Sequence, residues 1–284
     1  MEELFKNKKP KKMKTIKKLM SIFVIITSLT FVSCESDSTD DPSNDNNPGN
    51  TSNVLITKVI ETDSNGDAIT SECFYNGNKL NYILDDNSGT PVKSVFIYTN
   101  NLITSTNLYV DNVLTIKDEY TYDSSSRLIE HRQYDFTDTG AINHETKFTF
   151  VYSSNELINY ELHSIIASAG INELESSGVI NLDANQNVIS NTVIDAMSST
   201  TKSYTYTYDT KNNPIKNIVG MEKIRYAWPS GEIEGSILNN VLNVSVDGNT
   251  NSSTTYTYNA LNFPATSSYS ENGETYNIQY FYNQ

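Results

Sequence analysis

The chain has 284 residues, with 34 acidic against 20 basic side chains, a formal net charge of −14, 19 Tyr, 10 Phe and a single Trp. That balance argues against binding a nucleic-acid phosphate backbone, which needs a basic surface. Two cysteines are too few for a disulfide framework, and the length suits one large domain behind a leader.

A Lys-rich stretch from Lys6 to Lys18 precedes the apolar run Leu19 to Val32, long enough for a signal-peptide core and short for a membrane span. Met13 starts a second complete basic end. The segment closes on Phe31-Val-Ser-Cys34, which resembles a bacterial lipobox, with Phe31 standing where Leu is usual. The resemblance implies that residues 1–33 are a lipoprotein signal peptide and that Cys34 is acylated and held in outer-membrane lipid. The acidic run Glu35 to Asp41 resembles the surface-export signal of Bacteroidota lipoproteins, which implies a chain facing the cell exterior.

Residues 34–53 carry no large apolar side chain, so they cannot offset their own ordering entropy and are expected to form a disordered acidic tether. Eight of the Lys and Arg but only two of the Asp and Glu precede Cys34, so the mature chain has 12 basic and 32 acidic groups. Cys73 is the other cysteine. With Cys34 acylated it has no partner, and its neighbours Phe74 and Tyr75 mark it as a small buried hydrophobe.

From residue 54 to 284 an aromatic alternation runs repeatedly into a turn and then an apolar residue. Clear copies are Tyr120-Thr-Tyr122-Asp123, Tyr206-Thr-Tyr208-Asp209 and Tyr256-Thr-Tyr258-Asn259. The second member of each pair gives the markers Tyr75, Tyr98, Tyr122, Tyr152, Leu182, Tyr208, Trp228 and Tyr258, a spacing that fits one hairpin per unit. Period two puts the rings on one sheet face and Thr, Asn or Gln on the other. Turns such as Asn76-Gly77, Asp247-Gly248 and Asn272-Gly273 supply residues that accept positive φ. Leu157 to Glu175, the best helical candidate, is broken by Gly170 and reads as a strand pair with a loop.

The unit resembles the YD (RHS-type) repeat, Tyr-Asp, two free residues, then Gly-Arg-Leu. Tyr122-Asp123-Ser-Ser-Ser126-Arg127-Leu128 departs from it only in Ser126; Tyr208-Asp209 and Leu182-Asp183 keep the spacing but not the Gly and Arg; and Tyr152 to Leu157, Trp228 to Ile233 and Tyr98 to Leu102 are shortened copies. The chain is thus similar to Bacteroidota surface lipoproteins with degenerate repeats of this kind. In toxin-type relatives such repeats build a β-shell around a cargo, for which this chain is too short.

So many rings on one face would expose a patch far above the few hundred Å² that soluble proteins tolerate. The expected fold is therefore all-β: a single curled antiparallel meander of about sixteen strands with its Tyr face inward. Its repeat intervals are too uneven for the identical blades of a propeller.

Candidate sites are few. His131, His144 and His163 have no zinc-type spacing and read as polar residues on surface strands. The pairs Glu173/Glu175 and Glu232/Glu234 would share a strand face, as paired acid and base must on a glycan, but they read as solvated. Asp63 to Asp67 reads as an Asx-bonded hairpin turn in preference to a calcium loop, because its Gly comes too early and no bidentate Glu follows. Trp228 beside Tyr226 either offers a stacking platform for a sugar ring or fills a core position. No metal, cofactor or catalytic residue is expected. The expected role is a non-enzymatic cell-surface interaction or adhesion module, with an extracellular polysaccharide or a surface protein as partner. The alternative is a glycan-binding accessory of polysaccharide uptake.

Overall fold

A computed structural model describes residues 53–87, 89–166, 169–229, 236–271 and 274–284. The signal peptide, Cys34, nearly all of the tether and the pair Glu232/Glu234 lie outside the described residues. The Tyr/Thr alternation resolves into sixteen strands: β1 Ile56–Thr62, β2 Ala68–Asn76, β3 Lys79–Asn87, β4 Thr90–Thr99, β5 Leu102–Val110, β6 Val113–Tyr122, β7 Leu128–Phe136 and β8 Ile142–Tyr152, then β9 Leu157–Ile166, β10 Ile171–Leu182, β11 Val188–Asp195, β12 Thr201–Tyr208, β13 Val241–Val246, β14 Asn249–Tyr258, β15 Pro264–Glu271 and β16 Glu274–Tyr282. Leu157 to Glu175 is indeed a strand pair.

Each strand hydrogen-bonds its neighbour in sequence, and β1 pairs with β16, Val59 opposite Tyr280 and Glu61 opposite Ile278. The expected curl thus goes to full closure as an antiparallel barrel, which leaves no unpaired strand edge. β1 starts at what we term the entry rim, and every even strand ends there. The turns inside each odd-to-even hairpin lie at the opposite, far rim.

Facing positions such as Tyr120, His131, Phe148 and Leu162 stand in register across β6 to β9, and all four are buried on the inner face. The outer wall is mostly polar. On β14 to β16 the outward positions include Thr255, Thr257, Thr266, Ser268, Asn277 and Gln279. Midway along β7 and β8, Arg132 bonds Glu130 and Glu145, both at 2.7 Å, and Lys147 reaches Glu130 at 3.4 Å. A barrel spanning a bilayer needs an outward apolar band. The outward face of β14 to β16 is polar instead apart from Phe281, while Ile97, Val151 and Ile189 are among the apolar side chains exposed elsewhere on the wall.

Two devices explain the repeat. First, a tyrosine near the end of an even strand donates its hydroxyl to a carbonyl near the start of the preceding strand: Tyr75 to Ile56 (2.6 Å), Tyr122 to Ile103 (2.5 Å), Tyr152 to Leu128 (3.0 Å) and Tyr282 to Pro264 (2.9 Å), with Tyr208 to Val188 making the same contact. Each such bond staples the open end of one hairpin at the entry rim. Second, the aspartate that follows closes the turn to the next hairpin. Asp123 donates its N–H to the Arg127 carbonyl and accepts the Arg127 N–H on Oδ1, both at 2.9 Å, while Arg127 Nε meets Oδ2 at 2.8 Å. Ser126 then sits at φ 58°, Gln186 at 68° and Asn262 at 60° in the corresponding turns. This is the position that the YD pattern reserves for Gly, because only Gly enters the left-handed region without cost.

Candidate functional site

A 16-strand barrel is wide enough to hold an aqueous channel. Here inward side chains and part of the chain itself occupy the lumen. After β12 the described residues 209–229 leave the wall and enter the barrel, and residues 236–240 lead into β13. In the ordinary turn of this type, Asp183 N–H donates to the Asn187 carbonyl (2.8 Å), and Asn187 donates its N–H to Oδ1 (2.8 Å) and its amide to Oδ2 (2.9 Å) of Asp183. Asp209 and Asn240 make the same three bonds at 3.0, 2.9 and 2.9 Å. The plug is therefore an insertion into one repeat turn whose closure is preserved.

Inside, Gly220 at φ 88° turns the chain into the one-turn helix α1, Met221–Ile224; a Cβ there would lie 3.1 Å from the Asn101 carbonyl oxygen and from Ile103 Cγ1. Ile218, Met221, Tyr226 and Ala227 are buried against the wall. The tip is held by wall side chains that donate to its backbone. His131 Nδ1 meets the Ala227 carbonyl at 2.9 Å, and the Pro229 carbonyl accepts from Tyr160 Oη at 2.8 Å and Asn191 Nδ2 at 2.7 Å. The Trp228 ring stands edge-on to His131 (4.6 Å, 80°) and Phe148 (5.1 Å, 77°). Tyr160 itself lies over Gly178, where any Cβ would collide with its hydroxyl and with the Thr192 carbonyl.

His131 corrects the sequence reading: it is wholly buried and faces inward, whereas it was expected on the surface. The reason is its register opposite Tyr120 and Phe148, which puts it on the ring-bearing face. Its Nε2 meets Asp118 Oδ1 at 2.8 Å; Gln133 (3.1 Å) and Thr106 (2.9 Å) also donate to that carboxylate. Both ring nitrogens thus lie within hydrogen-bond distance of an oxygen, the Ala227 carbonyl on one side and the Asp118 carboxylate on the other. His144 and His163 are half-buried and bond Ser164 (2.6 Å) and Asn172 (3.0 Å).

Trp228 is likewise reassigned from a repeat strand to the plug tip. Tyr226 is 5% exposed and its hydroxyl meets that of Tyr152 at 2.5 Å, while Trp228 is half-buried. Glu173 and Glu175 are both exposed beside a register shift between Leu174 and Ser176, with no cleft around them. Asp63 accepts the N–H groups of Asn65 and Asp67 on Oδ1, both at 2.9 Å, as the Asx-turn reading requires. The Cys73 thiol is pushed up to about 12 by burial, which keeps it protonated and poorly nucleophilic. Among the described residues no cluster of three His, Cys, Asp or Glu side chains suits a metal ion.

Asp85 faces inward on β3, 4% exposed, with Oδ1 lacking a hydrogen-bond partner. Burial pushes its carboxyl up to about 6, against a lowering by a hydrogen bond to Ser71. Only the strand register reveals it, since Asp86 alongside points outward and is exposed.

No protein-family model matches the chain, and no curated protein matches it. Among solved structures, a porin-like protein from Bacteroides uniformis is similar, with 11% identity and a TM-score of 0.49, over 80% of this chain and 98% of that one. A porin-like protein from Bacteroides vulgatus gives 10% identity and 0.48 over 81% and 99%, and a protein of unknown function from Bacteroides fragilis gives 11% and 0.26 over 48% and 88%.

Proposed function

We propose that this chain is a lipid-anchored surface protein of the outer membrane, tethered through acylated Cys34, whose barrel acts as a non-enzymatic interaction module. One observation supports this above others: the barrel is inverted relative to a membrane channel, with rings inside, a mostly polar wall outside and its own chain in the lumen. A body of that kind offers partners its wall and rims. The tether joins it at Asn53, beside the entry rim, so the far rim is the end opposite the attachment point. A lipobox cysteine, an acidic stretch behind it and a water-facing barrel are mutually consistent. Recognition of a glycan at Tyr226 and Trp228 is the less favoured reading, because Tyr226 is buried in the plug and Trp228 is half-buried.

The test is fractionation. Cys34→Ala is expected to move the protein from the outer-membrane fraction to the soluble one, and protease shaving of intact cells is expected to destroy the wild-type chain. Membrane retention of the variant would refute the anchor, and survival through shaving would refute the outward orientation.

A further inference from the structure

The far rim is chemically divided. On one half, the turns β13–β14, β15–β16, β1–β2 and β3–β4 are short and polar in sequence: Asp247-Gly248, Asn272-Gly273, Asp63 to Asp67 and Asn87 to Gly89. On the other half, four successive turns and their flanking strand ends carry exposed aliphatic side chains. These are Val113 (49% exposed), Ile142 (57%), Leu174 (44%), Ile194 (41%) and Met197 (96%). Leu174 and Met197 belong to adjoining hairpins, joined by the bond from Ala196 N–H to the Glu175 carbonyl (2.8 Å).

The same half-rim is acidic. Asp111, Asp138, Glu173, Glu175 and Asp195 are exposed there, and residues 111–113, 137–142, 169–175 and 194–200 include no Lys or Arg. Nothing in the fold of the hairpins requires those apolar tips, since the β1–β2 and β13–β14 turns of the opposite half have only polar residues and Gly between their strands.

We propose that this half-rim is a docking surface for a protein with a basic, apolar-studded face. The proposal rests on the reading of the chain as a surface interaction module and names where the partner sits. Charge selects the occupant. A second copy of this chain would bring carboxylates against carboxylates, and anionic lipid headgroups would be repelled in the same way. A sugar stacks on open aromatic faces, and the ring at the end of these strands, Phe136 opposite Ile142, is half-buried. Aliphatic side chains among carboxylates suit the core and rim of a protein interface, and this end lies opposite the tether's attachment at Asn53.

The experiment is photo-crosslinking in intact cells from positions 142, 174 and 197, with 255 and 277 on the polar wall as controls, followed by binding measurements with the purified adduct partner. The result expected is one protein crosslinked from all three rim positions and from neither control. Its binding to the full-length Cys34→Ala chain should weaken at least tenfold in E173K/E175K and in L174S, with both variants keeping the wild-type melting temperature, and should weaken as salt rises. Crosslinks that are absent, equal from the wall, or to lipid or polysaccharide would overturn the proposal. So would a partner indifferent to these substitutions. Fractionation of the Cys34→Ala variant reads the anchor independently, so failure of the docking surface and failure of the surface-module reading are told apart.

Discussion

Asp85 should make the barrel less stable at neutral pH than in mild acid, and Asp85→Asn isolates its contribution. The side chain is nearly fully buried, and its carboxyl is shifted from an ordinary 3.8 up to about 6 by burial. A rise of about two units is worth roughly 3 kcal/mol at about 1.4 kcal/mol per unit. The sign follows from linkage. The folded state holds the proton more tightly, so the favourable contribution is fully present below about 3.8, is lost as pH rises through 6, and stays lost above it. At pH 7.5 Asp85→Asn should therefore be more stable than wild type by up to about 3 kcal/mol. That is roughly 6 °C in Tm for a domain of about 230 residues. At pH 4 the two curves should nearly meet, because a protonated carboxyl and an amide make similar demands on the site. Urea titrations of both proteins at pH 4, 5, 6 and 7.5 measure the gap directly, and other groups cancel in the difference. A gap of the same size at every pH, or a variant less stable at pH 7.5, would refute the claim that burial of a charge governs this site.

Four further outcomes are expected. Tyr75→Phe and Tyr282→Phe each remove one rim staple and should cost about 1 kcal/mol in chemical denaturation; Tyr122→Phe, on a separate hairpin, should add to either almost independently. Ser126→Gly and Gln186→Gly relieve left-handed backbone at the repeat turns and should each stabilise by about 0.5–1 kcal/mol, whereas Asp123→Ala in the same turn should destabilise by a similar amount or more. Gly178→Ala drives a methyl into Tyr160 and the neighbouring strand; limited proteolysis should then cleave within residues 209–240 before the strands, and Tm should fall by several degrees. His131→Leu removes a hydrogen-bond partner from the Asp118 carboxylate and from the Ala227 carbonyl and should cost about 1–3 kcal/mol in chemical denaturation.

Much of this architecture was legible in the chain order of its residues. Tyr204 to Tyr208 and Thr275 to Tyr282 display strand alternation directly, because period two is a property of the backbone alone. The turn at Asp63 and the strand pair across Gly170 also followed from local chemistry. Ser126, at the position where the YD pattern has Gly, has positive φ in the backbone. Trp228 misled because Trp228-Pro-Ser-Gly imitates a repeat copy. The usable warning was the stretch from Asn212 to Arg225, which has no aromatic alternation, together with the long gap between Tyr208 and Tyr258.

What local patterning determines is each strand, its two faces and its turns, since those depend on neighbours a few residues away. Closure depends on β1 meeting β16 across more than two hundred residues, and the plug depends on a lumen that exists only once the ring is shut. The burial of His131, the orphaned oxygen of Asp85 and the grouping of aliphatic tips on half of one rim all follow from which hairpins become neighbours. Those are properties of the assembled barrel, where register converts an unremarkable polar residue into an interior one.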